Sequence, residues 1–231
     1  AEMIKYSSNS FLAAKISFVN ELANMCDKWN MDFETVAEGM GMDSRISKQF
    51  LRAGVGFGGS CFPKDVKALR RAAKNDGLSS EMLDATLSVN EKQPEIVVNM
   101  AREILGELKN KRIVVLGLAF KADTDDVRES RAFNIVEKLK NENVEVIGHD
   151  PQATETFAEE SGITCTDDLE EALRDADCAI IQTEWNEYKS IKPEFLCNLM
   201  KKPVVIDGRR TFDNGYFTGT GVEYVAIGLG N

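Results

Sequence analysis

Apolar residues recur at helical spacing along the first hundred residues of the chain. One stripe predicts a long amphipathic helix over about residues 1–29; its members are Leu12, Ile16, Val19, Ala23 and Cys26. Asp32 is placed to cap a short helix that ends near Gly39 and Gly41. Further helices are predicted from about residue 64 to 74 and from about residue 80 to 108. Pro94 is expected to kink or restart the last of these helices.

The pattern changes near residue 110, where short apolar runs alternate with helical segments. Arg112–Leu116, Val144–Ile147, Cys178–Ile181 and Val204–Ile206 are predicted to be buried strands. This rhythm predicts a mainly parallel sheet covered by helices on both faces. The fold class is therefore an all-α central domain, residues 1–109, followed by a Rossmann-like α/β domain, residues 110–231.

Composition narrows the possible partners and the cellular location. The 231 residues carry a formal net charge of −10, which disfavours nucleic acid and anionic membranes as partners. We see no signal peptide and no apolar run of membrane-spanning length. Five cysteines without a C-x-x-C pair predict reduced thiols, a cytoplasmic protein and no metal site. Because the chain opens Ala-Glu-Met in an already helical pattern, we expect a fragment of a longer protein.

The most unusual stretch runs from Gly54 to Asp65, with the sequence GVGFGGSCFPKD. Its four glycines allow the backbone to approach a ligand closely. Cys61 follows them at the predicted start of a helix, a position that favours the reactive thiolate. The plainer alternative is a tight turn with a small buried side chain. Glycine density and the positive charges of Lys64 and Lys67 favour a functional thiol.

Familiar motifs do not account for this stretch. The glycine loop has Ser60-Cys61 where a P-loop needs Lys-Ser/Thr. The turn after the first strand has only Gly117 where a dinucleotide fingerprint needs three glycines, and Asp150 alone is weak support for ribose binding. A cysteine hydrolase would need His149, the only histidine, which lies in the other domain. A thiol without a histidine base suits an electrophile that it can attack readily, such as an aldehyde.

Basic residues follow the predicted strands of the second domain. Lys121 and Arg128 lie after its first strand, and Arg209 lies after its last clear strand. Ligands of open α/β sheets bind at the carboxyl ends of strands, and arginine can hold phosphate with two hydrogen bonds. Ion pairs with the aspartates at 123, 125 and 126 are the alternative. Three cations at one sheet edge favour a diphosphate site.

Together these residues resemble a known family. The GVGFGGSCFPKD stretch, the N-terminal AEMIKYSSN and the GLAFKADTDDVRES segment at 117–130 resemble the UDP-glucose/GDP-mannose dehydrogenase family over essentially the whole chain. The resemblance implies NAD-dependent oxidation of a nucleotide sugar, UDP-glucose to UDP-glucuronate, from alcohol through aldehyde to acid. Cys61 would attack the aldehyde to give a thiohemiacetal, and a thioester formed from it would be hydrolysed. The sequence before the cysteine is unlike that of the UDP-N-acetylmannosamine dehydrogenases, which typically carry a histidine there.

The resemblance also implies roles for individual residues. In the family, the residues that match Lys5, Asn9 and Asp65 hold the developing oxyanion beside the cysteine and handle water and protons. The nucleotide-sugar contacts that it implies are Arg45, which in the family reaches a neighbouring subunit's site, with Phe50, Leu51, Arg52, Gly58, Phe120, Lys121 and Arg209. Lys64 and Arg128 match contacts to NAD. The resemblance implies that most of the NAD molecule is bound by an N-terminal domain that this sequence does not contain.

Other functions stay open on the sequence. The family's GDP-mannose 6-dehydrogenases share the glycine–cysteine motif, so GDP-mannose is the rival substrate. From a different class, the chain could be a non-catalytic module for nucleotide-sugar binding or dimerisation. The resemblance implies a homodimer built from the first long helix and the helix near 80–107. We expect this piece alone to be inactive as a dehydrogenase.

Overall fold

The first half of the computed structural model, which describes residues 2–230, is helical. Its elements are α1 (Glu2–Lys28), α2 (Phe33–Gly41), α3 (Phe62–Asn75) and α4 (Glu81–Leu105). Asp32 caps α2 as predicted, because its side chain accepts the backbone N–H of Glu34 at 3.0 Å. The third helix begins two residues earlier than predicted, so that Cys61 itself is its N-cap residue.

Pro94 does not restart the fourth helix, which is continuous through it from Glu81 to Leu105. A proline inside a helix removes one backbone hydrogen bond. Pro94, Val97, Val98 and Ala101 are buried against the rest of the fold. This burial supplies the tertiary packing that holds the helix through the proline.

The second half is a parallel α/β sheet. Its elements are β1 (Arg112–Leu116), α5 (Arg131–Asn141), β2 (Glu145–His149), α6 (Thr154–Ser161), β3 (Thr164–Thr166), α7 (Leu169–Leu173), β4 (Cys178–Ile181), α8 (Asn186–Lys189), α9 (Pro193–Leu199), β5 (Val204–Asp207) and β6 (Glu223–Ala226). Within residues 2–230 the strands pair in the order β3-β2-β1-β4-β5-β6, and every pair is parallel. This is the doubly wound order of Rossmann domains, so the predicted fold class is confirmed.

Two strands were not predicted, and both lie at the edges of the sheet. Strand β3 has three residues, two of them threonines, and β6 begins with an exposed glutamate. An edge strand is paired and covered on fewer sides than a central one, so it needs no continuous apolar run. The central strands β1, β4 and β5 do carry such runs and were predicted within one residue of their observed bounds.

The helical half and the sheet share one hydrophobic core. The largest buried cluster joins residues of α1, α2 and α4 to one face of the sheet. A second cluster covers the other face, and a small third one places Ala13, Phe57 and Val66 beneath the cysteine loop. The loop is thus packed between α1, α3 and the sheet domain. Within the described residues, no helix is long and apolar enough to cross a membrane.

Candidate active site

Cys61 lies at the start of α3, at the end of the glycine loop. Its side chain is exposed, and its sulfur lies 3.8 Å from the hydroxyl of Ser60. The carbonyl of Cys61 accepts the backbone N–H of Asp65 at 2.9 Å, which closes the first helical turn. That turn directs Asp65 towards α1, one turn from the thiol.

Three other residues contact the carboxylate of Asp65. It is fully buried, and its Oδ2 accepts a hydrogen bond from Nδ2 of Asn9 at 2.6 Å. The ammonium of Lys5 is 3.7 Å from the same oxygen, and that of Lys64 is 3.5 Å from Oδ1. Burial alone would raise the pKa of Asp65, but the Asn9 hydrogen bond and the charges of Lys5 and Lys64 outweigh it, so the pKa is lowered. An ionised carboxylate therefore sits between two exposed ammonium groups, beside the thiol.

The cysteine loop rests on the segment after β1. The backbone N–H of Gly59 donates to the carbonyl of Arg128 at 2.9 Å. Gly58 lies against the carbonyl of Glu129, and the ring of Phe120 covers Gly59 so closely that a β-carbon there would overlap it. The segment that carries Lys121 and Arg128 thereby becomes part of the surroundings of Cys61.

Arg128 and Lys121 are both exposed in this segment. Arg128 forms two hydrogen bonds with Asp126, at 2.9 and 2.7 Å, and these raise the pKa of its guanidinium. The ammonium of Lys121 lies 5.5 Å from the ring centre of Phe120. Both side chains therefore keep their charged ends in solvent near the loop.

A second basic group lies at the carboxyl ends of the strands. The Nε of Arg209 donates to the carbonyl of Gln182 at 2.6 Å, and a β-carbon on Gly54 would lie 2.9 Å from Nη1 of Arg209. Burial lowers the pKa of Arg209 to about 10; Glu184 partly offsets this, and the charge of Arg52 adds to it. The guanidinium is still protonated at neutral pH. Arg52 itself pairs with Glu184 at 3.1 Å.

Asp207 fixes the loop that carries Arg209. This buried carboxylate ends β5 and accepts the backbone N–H groups of Arg209 at 2.9 Å and Thr211 at 2.6 Å, together with the hydroxyl of Tyr224 at 3.0 Å. Burial raises the pKa of Asp207, while these hydrogen bonds oppose the rise. Arg209 is thus held by its own backbone as well as by its side chain.

Asp150 has a structural environment rather than one suited to a ribose. Its carboxylate is fully buried and accepts five hydrogen bonds at 2.7 to 3.1 Å, from the backbone N–H groups of Leu118, Ala119, Gln152 and Ala153 and from the indole N–H of Trp185. Two of these donors belong to the turn after β1, where a dinucleotide pyrophosphate binds in other Rossmann domains. A protein carboxylate therefore already satisfies that turn.

Four predicted substrate residues lie in the segment between α2 and the glycine loop, and one of them is Arg52, described above. Arg45 is exposed and forms an ion pair with Asp43, and within residues 2–230 its side-chain hydrogen bonds are all with that residue. Phe50 is partly exposed, has a φ of +62°, and its ring centre is 6.3 Å from that of Phe62. Leu51 is buried in the main core, which leaves only its backbone to face a ligand.

Sequence reasoning missed the side chains that hold the site's loops. Asn20 and Asn90 contact the glycine loop, and Glu184 pairs with Arg52. Buried asparagines within amphipathic helices were the available signal, because a buried amide needs hydrogen-bond partners. Their partners lie 33 and 34 positions away in the chain, and no local pattern identifies them.

Comparison with protein-family models agrees with this geometry. Residues 1–92 match the central domain of the UDP-glucose/GDP-mannose dehydrogenase family, and residues 114–214 match the UDP binding domain of the same family. The chain therefore belongs to the UDP-glucose/GDP-mannose dehydrogenase family, as the resemblance of its motifs predicted.

Individual relatives refine this assignment. UDP-glucose 6-dehydrogenase AglM of Haloferax volcanii is 46% identical over 211 residues, which are 91% of this chain and 48% of the relative. UDP-glucose 6-dehydrogenase TuaD of Bacillus subtilis is 41% identical over 232 residues, 99% of this chain and 50% of the relative. The chain thus spans about half the length of the curated relatives that it matches.

Solved structures show the same relationship. A UDP-glucose dehydrogenase from the archaeon Pyrobaculum islandicum superposes with a TM-score of 0.86 at 37% identity, covering 98% of this chain and 50% of that one. A GDP-mannose dehydrogenase from Pseudomonas aeruginosa has a TM-score of 0.62 at 27% identity, covering 96% of this chain and 52% of that one.

Proposed function

We propose that this chain is the catalytic and nucleotide-sugar-binding part of an NAD-dependent dehydrogenase that oxidises UDP-glucose to UDP-glucuronate. The single observation that carries the proposal is the group around Asp65: an exposed thiol one helical turn from a buried carboxylate that Asn9 and Lys5 contact. The two matched family domains and the names of the relatives support the same conclusion.

Cys61 acts as the nucleophile in this proposal. The thiol gives its proton to water, its sulfur adds to the aldehyde carbon to form a carbon–sulfur bond, and the electron pair of the carbonyl double bond moves to the oxygen, which becomes the oxyanion of a thiohemiacetal. Lys5 and Asn9 stabilise charge on that oxygen, since an ammonium and an amide on one helix face can address one atom. After oxidation to the thioester, water attacks the acyl carbon, the carbon–sulfur bond breaks and the acid leaves. Asp65 orients Lys5 and Asn9 for both stages and accepts a proton from the attacking water.

The nucleotide diphosphate binds, in our proposal, at the carboxyl ends of β4 and β5. Arg209 and Lys121 hold the phosphates, and Phe120, Arg52, the backbone of Leu51 and the glycine loop at Gly58 contact the nucleotide sugar. Phe50 closes the same side of the site. Arg45 reaches a neighbouring subunit's site, which fits its exposed guanidinium. In this proposal the catalytic residues lie in residues 1–109 and the phosphate contacts lie in residues 110–231, while both halves contact the nucleotide sugar.

NAD fits beside Cys61 rather than in the Rossmann-like domain. The turn after β1 is already satisfied by Asp150, whereas Lys64 and Arg128 extend exposed positive charges near the thiol. We assign Lys64 and Arg128 to the dinucleotide phosphates. NAD would supply the electron acceptor for both oxidations. Two phosphate contacts are too few to hold NAD, so we expect the 231 residues alone to show no dehydrogenase turnover.

A homodimer is part of the proposal. Ile4, Phe11, Phe18 and Met25 recur every seven residues along α1, and their side chains are between 37% and 73% exposed. A long exposed apolar stripe on a helix marks a contact surface, and a seven-residue repeat suits helix–helix packing. We infer that two copies pack along α1, with the exposed Met82 near the start of α4 at the edge of the contact.

Replacing Cys61 by serine in the full-length enzyme tests the catalytic assignment. We expect formation of the acid to fall by at least about a thousandfold, because a serine hydroxyl is a far weaker nucleophile without a base. Binding of UDP-glucose should be retained, since the diphosphate site is separate. Near-normal turnover by Cys61→Ser would overturn the nucleophile and favour the alternative of a nucleotide-sugar-binding or dimerisation module.

A further inference from the structure

The backbone of the glycine loop is held by side chains instead of by other backbone groups. Within residues 2–230, positions 54–58 make no backbone–backbone hydrogen bond. The N–H of Gly54 donates to Oδ1 of Asn20 at 2.8 Å, and the N–H of Phe57 donates to Oδ1 of Asn90 at 2.7 Å. The Nδ2 of Asn90 donates back to the carbonyl of Phe57 at 3.0 Å. Two amide side chains from two helices therefore hold this part of the loop.

Asn90 makes the more specific of the two contacts. Its buried amide satisfies both polar groups of Phe57, so it fixes the position of that residue as a neighbouring strand would. Gly56, with a φ of +104°, has no side chain where a β-carbon would lie 2.6 Å from Oδ1 of Asn90. The approach of Asn90 and the glycine at position 56 depend on each other.

We call the hydrogen bonds of Asn90 and Asn20 to the loop the clamp. Packed side chains connect this clamp to the thiol. Phe57 packs with Ala13 and Val66 in the small cluster beneath the loop, and its ring meets that of Phe62 edge-on at 6.1 Å. Phe62 is the residue after Cys61, and Val66 follows Asp65. A shift of Phe57 is therefore transmitted to the first turn of α3, where Cys61 and Asp65 lie.

We propose that Asn90, assisted by Asn20, is a positioning residue that sets the location of Cys61 relative to the substrate carbon. This inference rests on the proposed role of Cys61 as the nucleophile. In the proposed reaction Asn90 contacts no reacting atom, because it acts through the backbone of Phe57. Displacement of a nucleophile by about 1 Å can lower the rate about a hundredfold, so a clamp at this point affects turnover more than stability.

The test compares Asn90→Ala with Gln93→Ala. Gln93 lies three residues along α4, is equally buried and exchanges two amide hydrogen bonds with Asn24 of α1, at 3.0 and 3.2 Å. Its removal takes away two amide hydrogen bonds of a similarly buried α4 residue, made to α1 and not to the loop. Asn90→Asp is the second variant, because it keeps an acceptor for the N–H of Phe57 but sets a carboxylate oxygen against its carbonyl.

Two measurements follow on these variants. In hydrogen exchange on this chain, Asn90→Ala should speed exchange across residues 54–61 by about tenfold or more, while Gln93→Ala leaves this segment unchanged. In the full-length enzyme, kcat should fall at least about tenfold for Asn90→Ala and for Asn90→Asp. For Gln93→Ala, compared at an equal loss of Tm, kcat should fall by less than about twofold. The KM for the nucleotide sugar should change less than kcat.

The two readouts separate this inference from the proposed function. If exchange in residues 54–61 is the same in Asn90→Ala and Gln93→Ala, there is no clamp and the inference is overturned. If exchange rises but kcat per folded molecule follows the control, the clamp does not position the nucleophile, and the inference is again overturned. If Cys61→Ser keeps its turnover, the proposed function fails even when the exchange result stands.

Discussion

Asn9 and Asp65 are 56 positions apart in the chain, yet Nδ2 of one lies 2.6 Å from Oδ2 of the other. This contact joins the first helix to the turn that follows Cys61. It keeps a fully buried carboxylate ionised, because the amide and the two nearby ammonium groups outweigh the effect of burial on its pKa. The proposed site therefore depends on the packing of α1 against α3.

Removal of the Asn9 side chain should destabilise the fold in a pH-dependent way. Because the folded-state pKa of Asp65 is lowered, its contribution to stability is present above the unfolded-state value of about 4 and is lost as pH falls through the folded-state pKa. We expect Asn9→Ala to cost about 1–3 kcal/mol at pH 7 and clearly less near pH 3. Urea unfolding at both pH values measures the difference.

The matched control for that experiment is Asn134→Ala. Asn134 lies on α5, and its amide donates to the surface residue Glu91 at 3.3 Å. Its removal should change stability by less than about 0.5 kcal/mol at either pH. A pH-independent cost for Asn9→Ala would show that the contact does not act through the ionisation of Asp65.

Arg209→Ala should weaken the binding of nucleotide diphosphates. Loss of this partly buried guanidinium removes a charge-assisted contact to the phosphates, and we expect affinity for UDP-glucose to fall by about tenfold or more. Calorimetric titration of the full-length protein measures it. Arg174, which is exposed at the C-terminal end of α7 and pairs with Glu170 of the same helix, provides the control Arg174→Ala with unchanged affinity.

The same titration compares substrates. UDP-glucose should bind more tightly than GDP-mannose or UDP-N-acetylmannosamine, as the names of the nearer relatives suggest. Tighter binding of GDP-mannose would reassign the chain to the other branch of the family.

Charges placed on the exposed stripe of α1 should dissociate the proposed dimer. In Phe11→Glu/Phe18→Glu the two carboxylates of each copy would be desolvated against apolar side chains, so the association should weaken by at least about a hundredfold. Sedimentation at micromolar concentration should then show a monomer. Met42→Glu, at an exposed position after α2, should leave the dimer intact. A wild-type monomer at the same concentration would disprove the dimer.

His149 should make the fold acid-sensitive. The imidazole is fully buried between the hydroxyl of Tyr188, at 2.8 Å, and the carbonyl of Asp167, at 3.3 Å. Burial lowers its pKa, so the unfolded chain binds a proton that the folded chain does not. Stability is complete above the unfolded-state value of about 6.5 and declines below it by at most about 1.4 kcal/mol per pH unit.

Variant His149→Gln isolates this effect. It should lose some stability at every pH, because the contact with Tyr188 changes, but it should have a shallower dependence between pH 7.5 and 5.5. Chemical denaturation at several pH values measures the slope. An unchanged slope in the variant would assign the acid sensitivity to other groups.

Local sequence was sufficient for most elements and for the candidate nucleophile. The central strands are apolar because helices cover them on both faces, and the long helices carry apolar stripes because each buries one face. The GVGFGGSCFPKD stretch identifies Cys61 because its residues are adjacent in the chain. The edge strands β3 and β6 could not be found in this way, since pairing with a neighbour defines them more than their own composition does.

The sequence pattern could not predict contacts between residues that are far apart in the chain. The role of Asp150 follows from five donors that meet only in the folded chain, and sequence position alone suggested a ribose contact. Asn90 and Asn20 look like polar interruptions of a helix until the loop is placed against them.

The sequence by itself determined the family, the helical and α/β halves, and the thiol at the start of a helix, because motifs and periodicity are local properties of the chain. Only the tertiary structure decided which side chains surround that thiol. Asp65 meets Asn9, and Phe57 meets Asn90, through the packing of helices that are remote in sequence. Burial then makes these few hydrogen bonds strong, since an unsatisfied polar group in the interior is costly.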